Sequence, residues 1–363
     1  MKKMKRQLNS FDWISFGLMS ALVMIGLLFV YSATSTESVT YSVFLQKQFF
    51  GVLSGLLLYF LFCFSDYRIT SQLGYFAYFA VVILLIYTLI RGKIGMGAQR
   101  WIDLGFVRFQ ASEVAKLFFP AFFTHYLYTE KDVPVYTFST FMPILTILIV
   151  SCLLILKQPD LGTCLLVFFS GLVLLWLVGI NKKFFKWGFI LCLLGAPVGW
   201  KMLKPYQKQR VMVFLGAGDP RKDRYHIEQP KIAIGSGGLF GKGLKKGTQT
   251  QLLFLPESRT DFIFAVLCEE WGFLGALLLL FLYTLLFCRL LYKILSIKPY
   301  FAQLLALGLI ISIMISCFIN ISMVCGLLPV VGIPLPLISY GVTSLWITLA
   351  SFGWIQGIIM RAS

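Results

Sequence analysis

The sequence predicts an all-α polytopic membrane protein: about ten transmembrane helices, with one large extracytoplasmic loop between helices 7 and 8. Three observations carry this. The 363 residues are 58% hydrophobic and 13% charged, against about 25% charged in soluble domains. Apolar runs of about 20 residues, enough to cross a hydrocarbon core of roughly 30 Å, recur along the whole chain. The shorter alternating segments of a β-barrel are absent.

The expected spans are 14–32, 48–65, 73–91, 112–128, 140–157, 161–180, 186–203, 262–288, 301–324 and 342–360, all in one domain, 1–363. The first follows "MKKMKRQLNSFDW" and lacks a small-residue cleavage pattern, so it reads as a retained helix. An even count puts both termini on one side. "MKKMKR", "NKKFFK" and Arg361 mark that side as cytoplasmic. Segments 33–47, 92–111, 158–160, 204–261 and 325–341 then lie outside.

The eight cysteines are scattered, nearly all in apolar runs, with no CxxC spacing. They read as small core residues. His125 and His226 form no HExxH, and no zinc site is evident.

The outer segment 204–261 carries eleven Lys/Arg and five acids, about +6. One reading is a solvated or lipid-headgroup face. The other is a site for an anionic ligand such as a pyrophosphate-linked lipid, which Lys and Arg would hold by charge-assisted hydrogen bonds. The same segment holds "IGSGGLFGKGLKKGTQTQ". Its glycines permit close backbone approach or positive φ; a flexible loop is the plainer reading. GxxxxGK[ST] fails at Ser236 and Gly243, and GxGxxG fails at Phe240, so a nucleotide loop is excluded.

Ionisable groups in or beside spans are costly and therefore functional candidates. Glu113 and Lys116 in "QASEVAKLFF" stand three apart and can pair on one helix face. Asp160 in "KQPDLGT" sits at a helix–Pro–helix corner, either as a cap or as a site residue. Glu269 and Glu270 in "CEEWGFLG" suit a structural role against cationic neighbours. Asp261, at the end of "LPESRTD", precedes an apolar helix. It reads equally as an N-cap, a general base or a ligand for a divalent cation.

These motifs resemble the SEDS family (shape, elongation, division and sporulation). The matching stretches are "GAQRWIDLG", "QASEVAK", "KQPDLGT", "AIGSGGLFGKGLKKGTQTQLLFLPESRTDFIFAVLCEEWGFLG" and "GLLPVVGIPLPLISYG", in family order across residues 97–341. "GTQTQLLFLPE" is similar to the RodA branch rather than its division relative FtsW. Departures are Pro230 and Lys231, Cys268 and Trp271, and Val342 and Thr343; none removes a candidate catalytic group.

The resemblance implies a peptidoglycan glycosyltransferase of the inner (plasma) membrane. It would polymerise lipid II into β-1,4-linked strands during elongation and shape maintenance, with inversion and release of undecaprenyl pyrophosphate. The family's essential aspartate matches Asp261, and its other motif charges fall on Glu113, Lys116 and Asp160. Arg100, Arg210, Lys242, Lys245 and Lys246 are candidates for the departing pyrophosphate. The cofactor is open: a divalent cation such as Mg or Mn could share that role. Implied partners are lipid II, a class B penicillin-binding protein, elongation-complex proteins and membrane lipids, with no nucleic acid. The competing classes are an FtsW-like division polymerase, a lipid II flippase or transporter, and a non-catalytic scaffold.

Overall fold

In lipid every backbone polar group needs an internal partner, so apolar runs of this length fold as helices. The computed structural model describes residues 10–35, 42–95, 98–103, 105, 108–129, 138–202, 205–217, 225–252, 254–255 and 257–362. The basic N-terminal stretch and Lys204, Asp219, Arg221, Lys222, Asp223 and Arg224 lie outside the described residues.

The long helices are α1 (Trp13–Thr34), α2 (Val43–Phe64), α3 (Tyr67–Arg91), α4 (Ala111–Thr129), α5 (Phe138–Lys157), α6 (Leu161–Val178) and α7 (Lys182–Met202). After a long connecting segment that contains α8 (Pro205–Phe214), α9 (Tyr225–Ser236) and α10 (Thr248–Gln251) come α11 (Ile263–Leu295), α12 (Tyr300–Val324) and α13 (Val342–Ala362). Local chemistry sets several starts. Ser42 accepts from Leu45 N at 3.2 Å, Asp66 from Arg68 N at 3.0 Å and Asp160 from Thr163 N at 3.3 Å. Some bounds differ from expectation: α2 begins at Val43, α3 at Tyr67, and α11 runs on to Leu295.

Eight of these helices, α1, α2, α3, α5, α6, α11, α12 and α13, are long and apolar enough to cross a membrane. The other two expected spans coincide with α4 and α7. Glu113, Lys116 and His125 lower the apolarity of α4, and four lysines, Lys182, Lys183, Lys186 and Lys201, lower that of α7. Large apolar side chains such as Leu57 and Ile83 point outward, 70% and 66% exposed, as a lipid solvent permits.

Helix α13 is the most enclosed span. It packs along α2 through glycines on both sides. A Cβ at Gly353 would lie 2.1 Å from the Tyr59 carbonyl oxygen, and one at Gly357 would lie 2.7 Å from that of Cys63. On α2, a Cβ at Gly55 would lie 2.6 Å from the end of the Leu349 side chain. Lipid offers helices no hydrophobic drive to associate, so close approach and dispersion must supply it. A polar pin lies at the start of α1, where Arg289 of α11 holds buried Asp12 at 2.9 Å.

The expected helical architecture holds, with one small addition. Segment 93–110 forms a small antiparallel sheet of β1 (Lys93–Gly95), β2 (Ala98–Asp103) and β3 (Arg108–Gln110), with Trp101 opposite Gln110 and Asp103 opposite Arg108. The glycine-rich stretch also differs from a free loop. Phe273 N donates to Gly238 O at 2.8 Å and Leu274 N to Leu239 O at 3.1 Å. Lys242 N and Gly243 N donate to the carbonyls of Glu269 and Glu270 at 3.0 and 2.9 Å. This docking coincides with a break in α11 at Gly272, whose φ is 68°. Only glycine fits there, because an added Cβ would sit 2.3 Å from Gly241 N.

Candidate active site

Residues 257–262 form a turn before α11. Thr260 N and Phe262 N both donate to Glu257 O, at 3.1 and 3.4 Å. Glu257 adopts φ 45°, an uncommon conformation for a residue with a side chain. The segment 331–341 holds this turn from the other side. Ser339 Oγ donates to Thr260 O at 2.6 Å, and Tyr340 N donates to Arg259 O at 2.9 Å. From α12, the Asn320 amide donates to Asp261 O at 3.0 Å and to Ile333 O at 2.6 Å. Gln48 of α2 clamps the same segment, donating to Ser339 O and accepting from Gly341 N, each at 3.2 Å. Arg259 itself stacks over Phe44, 3.9 Å from the ring centroid.

The Asp261 carboxylate is therefore fixed at both flanks yet takes no part in capping. The cap position of α11 is Phe262, and no side chain caps it. The N-cap reading of Asp261 falls on that geometry. Its Oδ2 faces Gly332, where a Cβ would lie 3.4 Å away. Burial raises its pKa most and the negative charge of Glu257 raises it further. Arg100 and Arg210 lower it, Asp160 raises it, and the net position is about 6.

Asp160 both caps α6 and anchors Arg100. Its Oδ1 lies 3.3 Å from Arg100 Nη1, and its Oδ2 accepts from Gln110 Nε2 at 2.7 Å and Ser112 Oγ at 3.0 Å. Its oxygens are thus saturated. Arg210, on α8, donates Nη1 to Val330 O at 3.0 Å. So β2, α8, the α5–α6 corner and the turn before α11 meet around one carboxylate.

Other expected site residues lie elsewhere. Glu113 and Lys116 pair at 2.7 Å, nearly buried. Lys116 lines a cleft with Ser312, Ser316, Pro334, Pro336 and Thr348, beneath the 331–341 segment. Lys242 is engaged by Glu269 at 2.8 Å, and by Ser236 and Thr248. Lys245 lies over Tyr31, 4.9 Å from the ring centroid, and Lys246 is exposed. These lysines gather at the α11 break rather than around Asp261.

Sequence reasoning missed Asn320, Gln48, Gln110, Ser112 and Ser339. The one usable signal was an amide inside an apolar span, which is costly unless it is bonded. The hydroxyls carry no such signal, because serine is common in helices that bury nothing polar.

The family model of the FtsW/RodA/SpoVE cell cycle proteins matches residues 12–363. The chain is 45% identical over 285 residues to the peptidoglycan glycosyltransferase MrdB of Escherichia coli K12, covering 78% of this chain and 76% of that one. It superposes on a chain of a solved peptidoglycan synthase complex that coordinates polymerization and crosslinking, with a TM-score of 0.81, 30% identity and coverage of 96% and 97%. It also superposes on the rod shape determining protein RodA of Thermus thermophilus, with a TM-score of 0.73, 30% identity and coverage of 97% of each chain.

Proposed function

The chain belongs to the FtsW/RodA/SpoVE family of cell cycle proteins, and from that premise we propose how it acts as a peptidoglycan glycosyltransferase of cell elongation, polymerising lipid II with Asp261 as general base. The observation that carries the residue assignment is the Asp261 carboxylate. It caps nothing, is held through its own main chain, and has its pKa raised to about 6 by burial and Glu257 against the opposing charges of Arg100 and Arg210.

In this mechanism the acceptor's sugar 4-hydroxyl attacks the anomeric carbon of the donor. Asp261 takes the hydroxyl proton as the new C–O bond forms. The bond from the anomeric carbon to the pyrophosphate breaks, and undecaprenyl pyrophosphate leaves with the electron pair. One base and a stabilised leaving group suffice for inversion. A positioned base is worth about 10²–10⁴-fold. Arg100 and Arg210 supply positive charge where the pyrophosphate departs. Lys242 is left out of this role, because Glu269 holds its ammonium.

A divalent cation fits this site poorly. The Asp160 oxygens are saturated, and Arg100 and Arg210 already act on Asp261. No step here runs through a metal. The proposed setting is a multi-pass membrane protein with both termini cytoplasmic and Asp261 on the outer face, where the lipid tail of the substrate stays in the bilayer. The proposed partner is a class B penicillin-binding protein that cross-links the product.

The test is polymerisation of purified lipid II by the native protein and by Asp261→Asn, each with the partner. Polymer from the native protein alone supports the assignment. Equal polymer from both removes Asp261 from the base role.

A further inference from the structure

The Glu269 carboxylate, on the first piece of α11, is completely buried. Its Oε1 accepts from Lys242 Nζ at 2.8 Å, Gln249 N at 3.0 Å and Thr248 Oγ1 at 3.1 Å. Its Oε2 accepts from Thr250 Oγ1 at 3.4 Å. Three of these donors belong to α10. From there the chain runs on through Phe254 N and Leu255 N, which both bond back to Gln249 O at 3.0 and 3.1 Å. It passes the turn that carries Asp261, enters α11 and returns to Glu269. The carboxylate thus closes a ring of chain from Thr248 to Glu269, with Asp261 near its middle.

Space as well as bonding holds this closure. A Cβ at Gly247 would fall 2.7 Å from Glu269 Oε2, so main chain packs directly on the carboxylate. A Cβ at Gly237 would fall 2.0 Å from Cys268 O, and one at Gly241 would fall 2.2 Å from Glu270 O. The glycine stretch therefore lies flush on the first piece of α11. Beyond Gly272 the helix continues on a new course, so the rigid unit is residues 263–271 with the docked loop.

We propose that Glu269, with Lys242 as its counter-charge, is a positioning residue: it closes the 248–269 ring and thereby sets where the Asp261 carboxylate stands relative to Arg100 and Arg210. Glu269 touches neither substrate nor Asp261. It acts by removing the freedom of the segment that delivers the base. A loop tied at both ends loses conformations it would otherwise sample, and a base displaced by about 1 Å costs on the order of 10²-fold. This inference rests on the glycosyltransferase reading above.

The experiment compares the native protein, Glu269→Gln and Thr248→Val, each with the penicillin-binding partner. Lipid II polymerisation is followed as kcat, KM and pH–rate profile, together with thermal unfolding. Glu269→Gln keeps the shape and removes the charge that gathers four donors. Thr248→Val is nearly isosteric, sits at the exposed rim and removes one donor. The expected result is a fall in kcat of about 10–100-fold for Glu269→Gln, with KM within about twofold. A smaller fall in the same direction is expected for Thr248→Val.

The acid limb should move with kcat. The charges facing Asp261 are Glu257 on its own turn, Arg100 on β2, Arg210 on α8 and Asp160 at the α5–α6 corner. A loosened ring changes its distance to all four and admits water, so the limb moves from near 6 toward the ordinary carboxylate range. A merely structural role would lower the amount of active enzyme and leave the limb in place. A native acid limb and native kcat in folded Glu269→Gln and in Thr248→Val overturn the proposal. If Glu269→Gln fails to fold, a native kcat and limb in Thr248→Val do so alone. An inactive native complex instead sinks the glycosyltransferase reading, and the positioning role with it.

Discussion

Asn320 of α12 holds the main chain of Asp261 and that of Ile333 with one amide, at 3.0 and 2.6 Å. A single side chain from a membrane span thus joins the turn before α11 to the segment before α13. Asn320 is fully buried. Replacing it by leucine keeps the volume and strands two carbonyls. Asn320→Leu should destabilise the protein by about 1–3 kcal/mol, read by thermal unfolding, and should lower glycan polymerisation as well.

Asp261→Asn should abolish polymerisation and at the same time stabilise the fold. The folded pKa of Asp261, about 6, lies above its ordinary value of 3.8. A raised carboxylate contributes its stability fully below the ordinary value and loses it as pH rises through 6. At pH 7.5 the native protein therefore carries a cost of up to about 3 kcal/mol that the asparagine variant lacks. Melting curves at pH 7.5 should show the variant higher, and the gap should close by pH 4.

Native activity should fall as the pH drops below about 6, because the base is then protonated. The neighbours set the sign of any shift. Arg210→Met removes a cation that favours the ionised form and should move the limb upward. Glu257→Gln removes a like charge and should move it downward. Limbs that coincide in both variants would remove these groups from the electrostatics of Asp261.

Gly241→Ala should disrupt the docking of the glycine stretch on α11. The residue has φ 78°, and an added Cβ would meet Glu270 O at 2.2 Å. A cost of about 2 kcal/mol or more is expected from the conformation and the overlap together. Gly235→Ala, with nothing within 4 Å of the added carbon, is the control. It should be neutral or stabilise by about 0.4–1 kcal/mol. Thermal unfolding of the two variants side by side reads the difference.

Arg100→Lys should behave poorly despite keeping the charge. Arg100 Nη1 lies 3.3 Å from Asp160 while the same guanidinium acts on Asp261. A planar fork can serve two directions, whereas an ammonium is a single point. Polymerisation should drop in Arg100→Lys, and further in Arg100→Met, which leaves buried Asp160 without its cation.

The sequence by itself determined that this chain lives in a bilayer, because apolar runs of about 20 residues have few other stable environments. Spacing alone also placed the Glu113–Lys116 pair on one helix face, since residues three apart on a helix are neighbours. Motif order carried the family, and with it Asp261. Local chemistry left other questions open. It could not choose between cap and base for Asp261, or between cap and site for Asp160, because an acid before a helix suits each role.

Only the tertiary structure decided those questions. Asp160 is cap and anchor together, and Asp261 caps nothing. The structure also sorted the basic residues, bringing Arg100 and Arg210 to Asp261 and drawing Lys242 to Glu269. The physical reason is common to all of these. A side chain's role depends on which buried partner satisfies it, and those partners lie far along the chain: 161 positions separate Arg100 from Asp261, and 293 separate Gln48 from Gly341. Periodicity and capping reach only four residues, so they carry no information across that distance.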